Sequence, residues 1–142
     1  MNPEAGSSQL SSSERRKFVR IDQRWYVVFQ QLDNALKHVY QKEVQGETRS
    51  VSMGGVLFRT REKVAAGALL ELEVQLPGEG EPLVAIARVV RVAPVKDESG
   101  DGYDAALEFI WLYHKDSGRL NEAILDALKR KNDVWEIPGC TA

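Results

Sequence analysis

The sequence predicts a mainly β fold with a C-terminal α-helix. Three patterns carry that expectation. Leu70, Leu72, Val74 and Leu76 alternate with Glu71, Glu73 and Gln75, the period-two signature of a strand with one face in a core and the other in water. Further short apolar runs are separated by clusters of Gly, Pro, Asn and Asp, the residues that supply turns. Beyond Trp111 the period changes, and Leu120, Ile124, Ala127 and Leu128 recur at the intervals of one helix face.

Taken in order, Met1 to Ser13 carries five serines and no aromatic residue, and is expected to be a disordered leader. It has neither the basic start nor the apolar stretch of a secretory signal, and no run in the chain has the length of a membrane span, so a cytoplasmic protein is expected. The first strand begins near Arg24, where Trp25, Val27 and Phe29 alternate with Tyr26, Val28 and Gln30. Asp33-Asn34 makes a turn. Lys37 to Thr48 reads as a polar strand, with a bulge or bend where Val39 and Val44 fall an odd interval apart. Gly54-Gly55 interrupts the sheet before the short strand Val56-Leu57-Phe58. Ala65-Ala66-Gly67 turns into the alternating strand described above, and Pro77 to Pro82 closes that strand as a hairpin-like connection. Leu83 to Val95 is a valine-rich strand on which Arg88 and Arg91, an odd interval apart, belong on opposite faces. Asp97 to Gly102 reads as a loop, and Tyr103 to Trp111 as the last strand. Asp116 or Ser117 caps the helix. Val134, Trp135 and Ile137 form an apolar tail that either folds back or meets another copy of the chain, leaving a homodimer open. There is no internal repeat and no second domain.

With 43% hydrophobic and 28% charged residues, the composition is that of a soluble domain with a real core. The net charge of -2 conceals an asymmetry. Arg15, Arg16, Lys17 and Arg20 against Glu4 and Glu14 leave the first 20 residues at 4 minus 2, or +2, and the remainder at -4. An acidic body with one small basic segment argues against general nucleic-acid binding, although Trp25, Tyr26 and Phe29 would be candidate stacking platforms for a single strand. It suits a compact dianion held at one place. Cys140 stands alone, which excludes an internal disulfide and a multi-cysteine metal site. His38 and His114 have no Ser, Cys or acidic partner at a catalytic spacing, and Asp97, Glu98 and Asp101 lack the ligand spacing of a calcium loop, so neither an enzyme nor a metal or other cofactor is expected.

The strongest functional signal is Glu14-Arg15-Arg16-Lys17-Phe18-Val19-Arg20, with three arginines and a lysine inside six residues. Arginine grips phosphate oxygens through a planar fork of donors and stacks on flat rings, so the cluster suits an anionic ligand that carries bases. Standing alone, it reads equally as a solvated basic patch. In an extended or loosely turned segment, Arg16 and Arg20 point the same way and converge on one ligand. About thirty residues downstream lies Ser50-Val51-Ser52-Met53-Gly54-Gly55, where Ser52 offers a small hydroxyl and Gly55 permits a turn or a close backbone approach.

These two segments together resemble the signature of PilZ domains, the bacterial receptors for cyclic di-GMP, written Arg-x-x-x-Arg followed by Asp/Asn-x-Ser-x-x-Gly. Arg16, Arg20, Ser52 and Gly55 match it, and Ser50 stands where the family has Asp or Asn. Gly102-Tyr103-Asp104-Ala105-Ala106-Leu107-Glu108-Phe109 resembles the closing strand of the PilZ barrel, so the likeness runs from about Arg15 to Leu112. The resemblance implies a small antiparallel β-barrel of about six to seven strands over residues 14 to 112, with residues 113 to 142 as a helix and tail packed on it. It implies a non-catalytic receptor whose ligand residues are Arg15, Arg16, Arg20, Ser50, Ser52 and Gly55, and which changes conformation to signal to a protein partner in motility or biofilm regulation. Arg15, directly before the motif, implies an intercalated dimer of the ligand. Ser50 is shorter than Asp and accepts at one point, which implies weaker binding and opens a second reading: a PilZ-like module that acts through protein partners without the nucleotide.

Overall fold

The computed structural model describes residues 18–39, 43–78, 80–98 and 100–134, with residues 131–134 described by their backbone alone. Among the described residues, six strands and one helix follow in order: β1 Tyr26–Leu32, β2 Val44–Val51, β3 Gly55–Thr60, β4 Leu69–Val74, β5 Leu83–Asp97, β6 Gly100–Leu112 and α1 His114–Val134. The strands close into an antiparallel barrel in the order β1-β2-β3-β6-β5-β4. Alternation builds the interior. Leu70, Leu72 and Val74 on β4, Val27 and Phe29 on β1, and Leu83, Ala85 and Ala87 on β5 all point inward and are buried. Phe29 meets Phe58 edge to face across that interior, with ring centroids 5.0 Å apart. Trp25 joins the core, so it and Phe29 cannot serve as stacking platforms for a nucleic acid.

Helix α1 buries Leu120, Ile124 and Ala127 in the same core. It starts two residues before the expected cap, because the Tyr113 carbonyl accepts the Ser117 N–H at 2.8 Å and so begins the helical ladder. Asp116 therefore lies inside the first turn rather than before it. Its carboxylate is 2% exposed, accepts the Val84 N–H at 3.3 Å and the Arg119 guanidinium at 3.0 Å, and ties the helix to β5.

Two segments differ from the sequence expectation. The polar strand expected from Lys37 begins only at Val44. Before it, the Asp33 carboxylate accepts the Ala35 and Lys37 N–H groups, a local turn that competes with strand pairing, and His38 makes a single bridge to Leu32. The register shift in β2 falls between Thr48 and Ser50. Likewise Asp97 to Gly102 is not a loop: β5 and β6 pair through to Asp97 opposite Gly100. This two-stranded arm is largely exposed, so its polar composition imitates a loop. Arg59 on β3 braces it, donating to the Asp104 carboxylate at 2.8 and 3.1 Å and to Asp97 at 3.0 Å. The hydrogen bond to Asp104 chiefly holds the Arg59 pKa above its ordinary value.

The expected leader and apolar tail, including Trp135, Ile137 and Cys140, lie outside the described residues. Among the described residues, no helix is long and apolar enough to cross a membrane. No group of three His, Cys, Asp or Glu side chains is placed to hold a metal ion among them.

Candidate ligand groove

The segment before β1 runs beside β2 and is fastened to it at three points. Ile21 and Val51 exchange both backbone hydrogen bonds at 2.8 Å. The Thr48 N–H donates to the Trp25 carbonyl at 2.8 Å. The Thr48 hydroxyl accepts the Trp25 N–H at 2.7 Å and donates to the Gln23 carbonyl at 2.5 Å. Ile21, Trp25 and Thr48 are all buried, so these bonds form where water does not compete. Arg20 is the residue before Ile21, and the Ile21–Val51 bridge therefore sets it beside the end of β2, where the Ser52–Gly55 turn begins.

That turn is closed by its own residues. The Ser52 N–H donates to the Gly55 carbonyl at 2.9 Å, and the Ser52 hydroxyl accepts the Gly54 N–H at 3.1 Å. The Gly54 carbonyl accepts the Phe109 N–H of β6 at 2.8 Å. The ring of Phe18 lies over Gly54, where an added Cβ would come within 2.9 Å of it. Gly55 is required more strictly, since a Cβ there would stand 2.0 Å from the Leu107 carbonyl oxygen.

Cross-strand register lays out the floor. Ser50, Leu57, Ala106 and Arg91 are successive partners across β2, β3, β6 and β5. At the usual strand spacing this row spans about 14 Å. Beside it runs a second row of Gly55, Glu108 and Arg88, in which Arg88 reaches Glu108 at 3.3 Å. Contrary to the sequence expectation, Arg88 and Arg91 share the outer face. A register shift between Val89 and Arg91 leaves Val90 as an extra residue, 53% exposed, and this bulge returns Arg91 to the outside.

The result is a groove of about 610 Å³ on the outside of the barrel, within the range of small-molecule sites. It brings together Arg20, Ser50, Ser52 and Gly55 from the sequence-derived set. Arg15 and Arg16 lie outside the described residues. Phe18, Val90, Arg91 and Glu108 also line it, and the sequence reading had assigned them no role. For Arg91 a signal was present: the adjacent Val89 and Val90 break the alternation of β5 just before it. A second groove, of about 540 Å³, lies between β2, β3 and the arm and includes none of the sequence-derived residues.

The family model described as PilZ domain matches residues 14–125. No curated protein matches the chain. Among solved structures, the fold is similar to the Bacillus subtilis inhibitor of motility MotI/DgrA, at 22% identity and a TM-score of 0.62 over 81% of this chain and 52% of that one. It is similar to the PilZ domain of Escherichia coli YcgR with c-di-GMP, at 13% identity and a TM-score of 0.62 over 87% of this chain and 99% of that one. The K. pneumonia MrkH–c-di-GMP complex matches at 17% identity and a TM-score of 0.61 over 83% of this chain and 53% of that one. The chain thus spans about half the length of MotI and MrkH and nearly the whole YcgR domain.

Proposed function

This chain belongs to the PilZ domain family, and on that premise we propose that it is a non-catalytic receptor for cyclic di-GMP. The observation that carries the proposal is the Ile21–Val51 bridge, which brings Arg20 to the Ser52–Gly55 turn at the edge of one groove. The fold neighbours that hold c-di-GMP, YcgR and MrkH, support the same ligand class.

In this reading Arg16 and Arg20 grip phosphate oxygens and the O6/N7 edge of a guanine, the donor match by which arginine reads guanine in nucleic acids. Arg91, at the far end of the Ser50 row, provides a further cation for the second half of a symmetric dianion. Leu57 and Ala106 make a low floor under a base plane. Arg15 adds a third guanidinium to the clasp, and with it an intercalated pair of ligands. Ligand held between the arginine segment and the groove changes the surface offered to a protein partner, and this is how the domain passes the signal on. The protein acts in the cytoplasm, with residues 14–112 as the receptor barrel.

Isothermal titration of cyclic di-GMP, with GTP as control, tests the proposal. Micromolar or tighter binding is expected, with loss of measurable heat in the Arg16→Ala/Arg20→Ala variant. The Ser50 hydroxyl, in place of a carboxylate, favours the second reading of a partner-binding module without nucleotide. Absence of heat from the unaltered protein would select that reading.

A further inference from the structure

We propose that Glu108 is a specificity-determining residue of this groove, a carboxylate on β6 that accepts the N1–H and 2-amino donors of a guanine. The inference rests on the cyclic di-GMP reading above. Guanine presents two adjacent donors on that edge beside its O6 acceptor, and two parallel donors are best met by the two oxygens of one carboxylate. Ser50 and Ser52 are hydroxyls, and the Ser52 oxygen already accepts the Gly54 N–H. Glu108 is the one carboxylate lining the groove among the described residues.

Its position follows from the register. Glu108 is the cross-strand partner of Gly55, so it rises from the strand next to the serine-glycine turn. With 54% side-chain exposure, it is available to a ligand. Arg88, its partner on β5, reaches Oε1 at 3.3 Å and acts as a positioning residue that restrains the carboxylate without covering it. Gly55 contributes the approach: a Cβ there would stand 3.1 Å from the Glu108 Cα, so only glycine lets β6 carry Glu108 this close to the turn. A motif position that lacks a carboxylate on β2 is thereby served by one on β6, two strands away across the same outer face.

The test titrates cyclic di-GMP and cyclic di-IMP, whose bases keep N1–H and lack the 2-amino group, into the unaltered protein, Glu108→Gln, Arg20→Ala and Ser50→Asp/Glu108→Gln. The proposal expects the unaltered protein to prefer cyclic di-GMP by roughly tenfold or more. It expects Glu108→Gln to lose roughly tenfold to a hundredfold in affinity, the scale of one charge-assisted hydrogen bond, with collapse of that preference. Ser50→Asp in the same chain should restore both. If Glu108→Gln keeps the affinity and the preference while Arg20→Ala loses binding, the groove stands and the role of Glu108 is overturned. If the unaltered protein binds neither ligand, the receptor reading falls and this proposal falls with it.

Discussion

Gly55 and Leu107 approach so closely that their two strands leave no room for a methyl group between them: a Cβ on Gly55 would sit 2.0 Å from the Leu107 carbonyl oxygen. The motif glycine is therefore a requirement of the barrel wall. Gly55→Ala should cost about 2 to 3 kcal/mol, because backbone rather than a flexible side chain must give way. A urea titration checks it. A destabilised protein that still binds ligand when folded would separate the two roles of this residue, whereas unchanged stability would refute the steric account.

Thr48 carries the second prediction. Its hydroxyl accepts the Trp25 N–H and donates to the Gln23 carbonyl. Thr48→Val keeps the shape and strands both groups, which should cost about 2 to 4 kcal/mol. The same change loosens the segment that carries Arg20, so affinity should fall even at temperatures where the barrel remains folded. Paired denaturation and titration of this variant measure the two effects, and a loss of stability with full affinity would uncouple them.

Arg91→Ala should weaken cyclic di-GMP binding by roughly tenfold, on the scale of a single guanidinium contact, while stability stays within about 0.5 kcal/mol because the side chain is exposed. Deleting Val90 should leave binding intact. Val89 pairs with Leu107 and Arg91 with Ala106, so without the extra residue the bulge closes and Arg91 stays the next outward position. Equal affinity of Arg91→Ala and the unaltered protein would remove Arg91 from the site.

The stoichiometry of binding reports on Arg15. The unaltered protein should saturate at two ligands per chain, and Arg15→Ala at one, as read from the inflection of an isothermal titration. Saturation of the unaltered protein at one ligand would show that the third guanidinium does not recruit a second nucleotide.

How much of this was legible beforehand varied with what water does to each segment. The alternation from Leu70 to Val74 marks β4 because one face is buried and the other is not. The motif residues Arg20, Ser52 and Gly55 could be named from their resemblance to the PilZ signature, and they do share one groove. Arg91 was missed because periodicity assumes an unbroken count, and a bulge adds one residue without changing composition. Glu108 was missed because its relation to Gly55 is a matter of register between strands more than fifty residues apart in sequence. The β5–β6 arm reads as a loop in the sequence because a ribbon exposed on both sides needs no apolar face.

That arm has a cost for the barrel. Closure removes every free strand edge, but beyond Val89 the described residues of β5 pair with β6 alone, so one edge reopens along Val90 to Asp97. Pro94 interrupts that edge by lacking an N–H to offer an incoming strand, and the exposed Lys96 sets a charge two residues on. Replacing Pro94 with Thr would return the missing donor, and light scattering at high concentration should then detect self-association. Resistance of the protein to stacking edge to edge thus depends on residues outside the ligand groove.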